Sequence, residues 1–246
     1  MDDPNKLVLW LRAGSDGQRM GGDPLSHHLF MLLVLKGQQN SNLVFEVRTV
    51  SEAKPAPDFK AAGLRKPPAA VYQEETYTHE DDIVELLERW TPRRKQTEAD
   101  DATADLFRHF AYFIKDVNKC PQALLGELHR LDEFLGSCGT KFLAGDEPSF
   151  IDSVVLPRLH TIRISAQALK DFSIPDDMQH LWAYLGRAYK LQLFTATCPC
   201  DQEIILHWAE RPDTPDISSQ RRAALYREKS TFTFTVPGES TVSTDS

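Results

Sequence analysis

The sequence predicts an α/β domain followed by an all-helical domain. Three observations carry that expectation: strand-like and helix-like stretches alternate up to Thr91-Pro92, a polar run follows, and beyond it apolar residues recur almost entirely at helical spacing. The expected divisions are 1–92 for the α/β domain, 93–101 for a linker, 102–210 for the helical domain and 211–246 for a tail.

Each element has a local reason. Residues 6–13 are a short apolar run of strand formers ending at the turn cluster Gly14-Ser15-Asp16-Gly17, which predicts a buried strand and a loop. Asp23-Pro24 then precedes Leu25, Leu29, Leu32, Leu33 and Leu35. This is a helix with Asp as N-cap, Pro at the first helical position and Gly37 marking the end. Residues 43–50 alternate apolar and polar, the period of a strand with one solvated face. A short helical stretch over 58–62 and a proline-initiated strand over 67–72 follow, with 76–78 as its hairpin partner. Ile83, Val84, Leu86, Leu87 and Trp90 return to helical spacing.

The charged segment 91–101 reads as an exposed linker. Helices are then expected over 102–117, 122–135, 150–169, 178–189 and 201–210, with Ser149 and Asp152 forming a capping-box variant. From Arg211 onward Pro, Ser, Thr and charges dominate, which predicts a largely disordered tail apart from the strand-like alternation at 231–236.

Composition narrows the function. The chain has 246 residues, 41% of them hydrophobic, and a formal charge of −8, as expected for a soluble globular protein. Excess acid argues against nucleic acid as a partner, and only Arg93-Arg94-Lys95 breaks the pattern. The longest uncharged apolar run, 29–35, is far short of the roughly 18–20 residues that cross a bilayer as a helix. Met1-Asp2-Asp3-Pro4 lacks the basic and apolar parts of a signal peptide, so the expected compartment is cytoplasmic. Cys120, Cys138, Cys198 and Cys200 have neither zinc-site spacing nor the density of a disulfide framework; they are expected to be structural thiols, and no metal is expected.

A strand-helix-strand-helix-strand-strand-helix unit followed by a helical domain resembles the glutathione transferase architecture, in which the first domain is thioredoxin-like. More specifically, Gly14-Ser15-Asp16-Gly17, Leu29-Phe30-Met31, Leu35-Lys36-Gly37, Phe142-Leu143-Ala144-Gly145-Asp146, Leu156-Pro157-Arg158-Leu159-His160 and Thr197-Cys198-Pro199 resemble the chloride intracellular channel family. His180-Leu181-Trp182-Ala183-Tyr184 and Asp201-Gln202-Glu203-Ile204-Ile205 are similar to the invertebrate members. The resemblance implies a soluble protein able to enter membranes and conduct anions, with glutathione-dependent redox activity in some members.

That redox chemistry uses a cysteine at the start of the first helix, where free N–H donors and the positive dipole end stabilise a thiolate. The aligned residues here are Asp23-Pro24-Leu25-Ser26, and Ser26 also stands where some invertebrate members place a cysteine. Both nucleophile positions lack a thiol, so no catalytic residue is expected. By resemblance Pro68 corresponds to the cis-proline facing the redox site, and His79-Glu80 to the acidic-hydroxyl pair that holds the γ-glutamyl group. Glu80 would oppose a carboxylate with a carboxylate, which argues against glutathione as a cofactor. Asp23, Pro24, Ser26, Pro68, His79 and Glu80 thus form a degenerate redox site.

The family's inserting segment corresponds to residues 24–50, which carry Lys36, Glu46 and Arg48. Each charge costs about 2.5–3.5 kcal/mol at a membrane centre, so entry requires refolding and oligomerisation. His28 and Lys36 align with basic positions proposed to line the pore. A cation near a helix C-terminus equally explains Lys36, whereas His28 would make conductance rise in acid. The expected partners are membrane lipid, conditionally, and cytoskeletal or trafficking proteins if the fold serves as a silent scaffold. The resting form is expected to be a monomer.

Overall fold

The computed structural model describes residues 5–93 and 97–238. Arg94, Lys95, the first four residues and the end of the tail therefore lie outside the described residues.

Four strands form one mixed sheet. β1 (Leu7–Arg12) runs parallel to β2 (Phe45–Val50), with Leu9 opposite Val47, and antiparallel to β3 (Ala69–Tyr72), which pairs in turn with β4 (Glu75–Tyr77). The order across the sheet is β2-β1-β3-β4. A parallel β1–β2 pair needs a crossover, and α1 (Pro24–Gln39) supplies it. Both faces of β1 are covered. Leu7, Leu9 and Leu11 meet Leu29, Leu32 and Leu33 of α1 and Ile83, Leu86 and Leu87 of α3 (Glu80–Glu88), while Trp10 faces Phe59 of α2 (Pro57–Ala61).

α1 is buried on two sides. Met31 and Leu35 leave the sheet core and join the core of the helical domain, so the apolar run 29–35 is a helix packed between two layers. The helix continues past the expected stop at Gly37 to a cap at Asn40. Gly37 is needed for a close approach: a Cβ there would lie 2.6 Å from the Phe45 ring.

The second domain contains α4 (Thr97–Thr103), α5 (Leu106–Ile114), α6 (Gln122–Ser137), α7 (Phe150–Lys170), α8 (Gln179–Tyr189), α9 (Gln192–Thr195) and α10 (Asp201–Ala209). The expected single helix over 102–117 is two, and the expected linker 93–101 ends inside α4. Only Ala99 and Ala102 of α4 enter the core, too small an apolar signal to read through the surrounding charge. The Ser149–Asp152 cap is present: the Asp152 carboxylate accepts from the Ser149 N–H and hydroxyl at 2.8 and 2.7 Å. Asp152 also accepts from the Leu143 N–H and the Tyr184 hydroxyl.

The tail expectation is corrected. Residues 219–227 form α11 (Ser219–Arg227), capped by Ser218 and anchored by buried Leu225 against Ile205 and Leu206. Residues 231–236, expected to be strand-like, form no strand. The Asp201 carboxylate accepts from the Thr233 N–H at 3.2 Å and from its hydroxyl at 2.5 Å, Arg163 donates to the Thr233 and Thr235 carbonyls, and Phe234 packs on Tyr189. Side chains from distant helices hold this segment, so composition alone gave no sign of its order.

Candidate functional site

The site begins where α1 does. Asp23 caps the helix, its carboxylate accepting from the Leu25 N–H at 3.3 Å, and Ser26 donates its hydroxyl to the same carboxylate at 3.2 Å. The two positions where the family resemblance leads one to expect a thiol are thus bonded to each other. Asp23, Pro24, Leu25 and His28 line a small cleft of about 170 Å³ with Glu80, Phe107, Arg158, Trp208 and Arg211. Pro68 follows a cis peptide to Pro67 ahead of β3, and His79 is the N-cap of α3; neither lines this cleft.

Charge around the cleft is mixed. Glu80 stands at the mouth, its carboxyl pushed up by partial burial, with Asp81 and Asp23 adding to the rise and Arg158 opposing it. Arg158 is held below its ordinary value by burial, and so is Arg211, which also donates to His207 Nε2 at 2.7 Å. Arg158, Arg211 and His207 were not singled out in the sequence. Leu156-Pro157-Arg158 carries part of the family resemblance, but only the packing of α7 against α1 brings Arg158 to Glu80.

Behind the cleft the floor is structural. Pro157 has no N–H to give the Ser153 carbonyl four residues earlier in α7, and His28 Nδ1 donates to that carbonyl at 3.0 Å. His28 is therefore a peg between α1 and α7, fully packed, with its pKa lowered to about 4 by burial and, less, by Arg158. His27 packs on Phe194 with ring centroids 5.0 Å apart; burial, assisted by His28, lowers its pKa to about 3. His160 of α7 meets the same phenyl ring and the Tyr189 hydroxyl, and burial drives its pKa well down. The Nε2 atoms of His27 and His160 have no hydrogen-bond partner.

Lys36 is also internal. Its ammonium pairs with Glu88 at 2.9 Å and donates to the Thr91 carbonyl, tying the end of α1 to the end of α3. It borders a wider cleft of about 940 Å³ shared with Arg93 and Phe150.

Glycines set the approach of the β1–α1 loop to α10. A Cβ on Gly22 would lie 2.2 Å from the Glu203 carbonyl oxygen, and the Glu203 carboxylate accepts from the Ser15 N–H at 2.9 Å and from its hydroxyl. All four cysteines are free; Cys198 is buried, and burial raises its thiol well above the ordinary value, with Asp201 adding to the rise. Among the described residues Asp105, His109 and Glu127 bring possible metal donors within 4.8 Å of one another, but Arg108 and Arg130 already pair with the two carboxylates at 3.0 and 2.7 Å. Among the described residues no helix is long and apolar enough to cross a membrane.

A family model described as the CLIC-like N-terminal domain matches residues 5–92. Over 233 residues, 93% of this chain and 98% of the relative, the chain is 44% identical to chloride intracellular channel exl-1 of Caenorhabditis elegans. The chain belongs to the chloride intracellular channel family. Among solved structures, the CLIC homologue EXC-4 from the same nematode superposes with a TM-score of 0.83 at 27% identity, covering 95% of this chain and 94% of the other. A dehydroascorbate reductase from Chlamydomonas reinhardtii matches with a TM-score of 0.68 at 17% identity, over 82% of this chain and 96% of that one, a likeness of fold. The architecture of this family member is thus glutathione transferase-like: a thioredoxin-like sheet domain and a helical domain.

Proposed function

We propose that this protein is a conditional membrane protein, compact at rest, which binds anionic lipid and conducts chloride after acid opens the joint between its two domains. The observation that supports this reading is the set of buried histidines on that joint: His27 and His28 on α1, facing His160 on α7. The folded values of His27 and His28 lie below the ordinary 6.5, so the opened state binds protons that the packed state refuses. Stability is complete above about pH 6.5 and is lost as pH falls toward the folded values.

The charged neighbours mostly push the same way. Arg158 and Arg163 oppose protonation of His28 and His160. The Asp152 carboxyl, pushed up by burial, works in the opposite sense. Opening would free the apolar faces of α1 that now meet the sheet and α7, and acid would also reduce the negative charge that opposes anionic lipid.

Oxidation does not fit as the trigger. Asp23 and Ser26 hold the positions of the reactive thiol, and the buried thiol Cys198 is far from a thiolate. The same two residues argue against thiol-disulfide exchange. In the inserted state His28 and Lys36 would supply basic groups along the anion path, and in the resting state both are committed to packing.

Liposome flotation with anionic vesicles, at neutral pH and near pH 5.5, with and without peroxide, tests the proposal. Binding confined to acid and indifferent to peroxide is expected. Peroxide-driven, cysteine-dependent binding at neutral pH would overturn the acid trigger, and no binding under any condition would favour the silent-scaffold reading.

A further inference from the structure

We propose that Ser230 is a phosphorylation site for a basophilic protein kinase, and that Arg19 on the β1–α1 loop receives the phosphate and latches the tail across the two domains. The Arg19 guanidinium already donates to the Ser230 hydroxyl, joining residues far apart in sequence. Exposed Arg227 and Lys229 lie three residues and one residue before Ser230, the basic flank such kinases read. Residues 228–233 form neither helix nor strand. They are tethered by the Gln202 side chain, which donates to the Lys229 carbonyl and accepts from the Thr231 N–H, and by one backbone bond from the Asp201 N–H to the Thr231 carbonyl. Asp201 and Arg163 add side-chain bonds to Thr231 and Thr233, so Ser230 reaches a kinase cleft by local opening of this tether, with no helix or strand to unmake.

In the reaction the Ser230 oxygen attacks the γ-phosphorus of a nucleoside triphosphate. The β–γ anhydride bond breaks, the diphosphate leaves, and the hydroxyl proton passes to the kinase base. The product adds about two negative charges and three acceptor oxygens at a point that an arginine already touches. Arg19 is mostly exposed and otherwise makes a loose 3.8 Å contact with Asp16, so it can reorient at little cost. Position decides the sign. A phosphate on Thr231 or Thr233 would instead meet the buried Asp201 carboxylate, which accepts from both hydroxyls, and would push the tail away.

The full chain, incubated with ATP and a purified kinase that selects arginine three residues before serine, gives the test. Fragment-ion mass spectrometry is expected to place the phosphate on Ser230, and Ser230→Ala to abolish it. Chymotrypsin cleavage after exposed Phe232 is expected to slow by about threefold on phosphorylation, the scale of one surface ion pair. Arg19→Ala, an exposed substitution whose fold circular dichroism can verify, is expected to remove that slowing while leaving phosphorylation intact. Phosphate on Thr231 or Thr233 in place of Ser230, equal slowing in Arg19→Ala, or faster cleavage after modification would each overturn the proposal.

Discussion

Asp23 and His28 stand little more than one helical turn apart on α1, yet different forces hold them. Asp23 satisfies its own helix: its partners are Leu25 and Ser26, two and three residues away. His28 satisfies another helix, giving a proton to the Ser153 carbonyl that Pro157 leaves without a donor. The first arrangement would persist in any chain with this local sequence, whereas the second exists only while the domains are packed. The N-terminal end of α1 has therefore kept its helix cap without a thiol, while its flank carries the contacts that bind one domain to the other.

Acid should break the two regions apart with the largest effect. At pH 5.5 each of His27 and His28 should cost the packed form about 1.4 kcal/mol relative to neutrality, about 3 together, with His160 and His207 adding in the same direction and the raised Asp152 and Glu80 carboxyls opposing. Urea unfolding at the two pH values measures this. An unchanged midpoint would show that the histidines do not resist protonation. The Glu46 carboxyl, lowered to about 2 by hydrogen bonds from Arg48 and Lys6, loses its contribution as pH falls from about 4.5 toward 2, below this window.

Gly22→Ala should rank next, at about 2–3 kcal/mol, because the new Cβ meets the backbone of Glu203 and Ile204 and one segment must shift. Loss of the β1–α1 loop's protection in hydrogen exchange would report the same event. His28→Ala should cost about 2 kcal/mol by leaving the Ser153 carbonyl buried and unpaired. Adding Pro157→Ala should return about 1 kcal/mol, since the new N–H can serve that carbonyl. Strictly additive effects in the double-mutant cycle would rule out the peg. Asp23→Ala should be the smallest, about 1 kcal/mol, the worth of one N-cap, with little change in the acid response.

Asp23 as N-cap, Pro24 at the first helical position, the capping role of Asp152 and the strand periodicities were legible because each is decided within a few residues. The α/β-then-helical order followed from the same local signals. Gly37 misled, since a glycine needed for contact with Phe45 looks the same in sequence as one that ends a helix. α4 and α11 were missed because each buries only a few apolar side chains amid charge. Of the residues named from the sequence, Asp23, Pro24, His28 and Glu80 line the cleft, while Arg158 of α7 and Arg211, just past α10, reach it from far along the chain.

By itself the sequence determined the element order of the first domain, the absence of a thiol at the head of α1, and the acidic character of the chain, because backbone propensity, capping and composition act over short range. Only the tertiary structure decided that His28 serves α7, that Lys36 is neutralised by Glu88, and that residues 229–236 are held by Asp201, Gln202 and Arg163. Those outcomes depend on desolvation and on partners distant along the chain, and both arise only when segments far apart in sequence pack together.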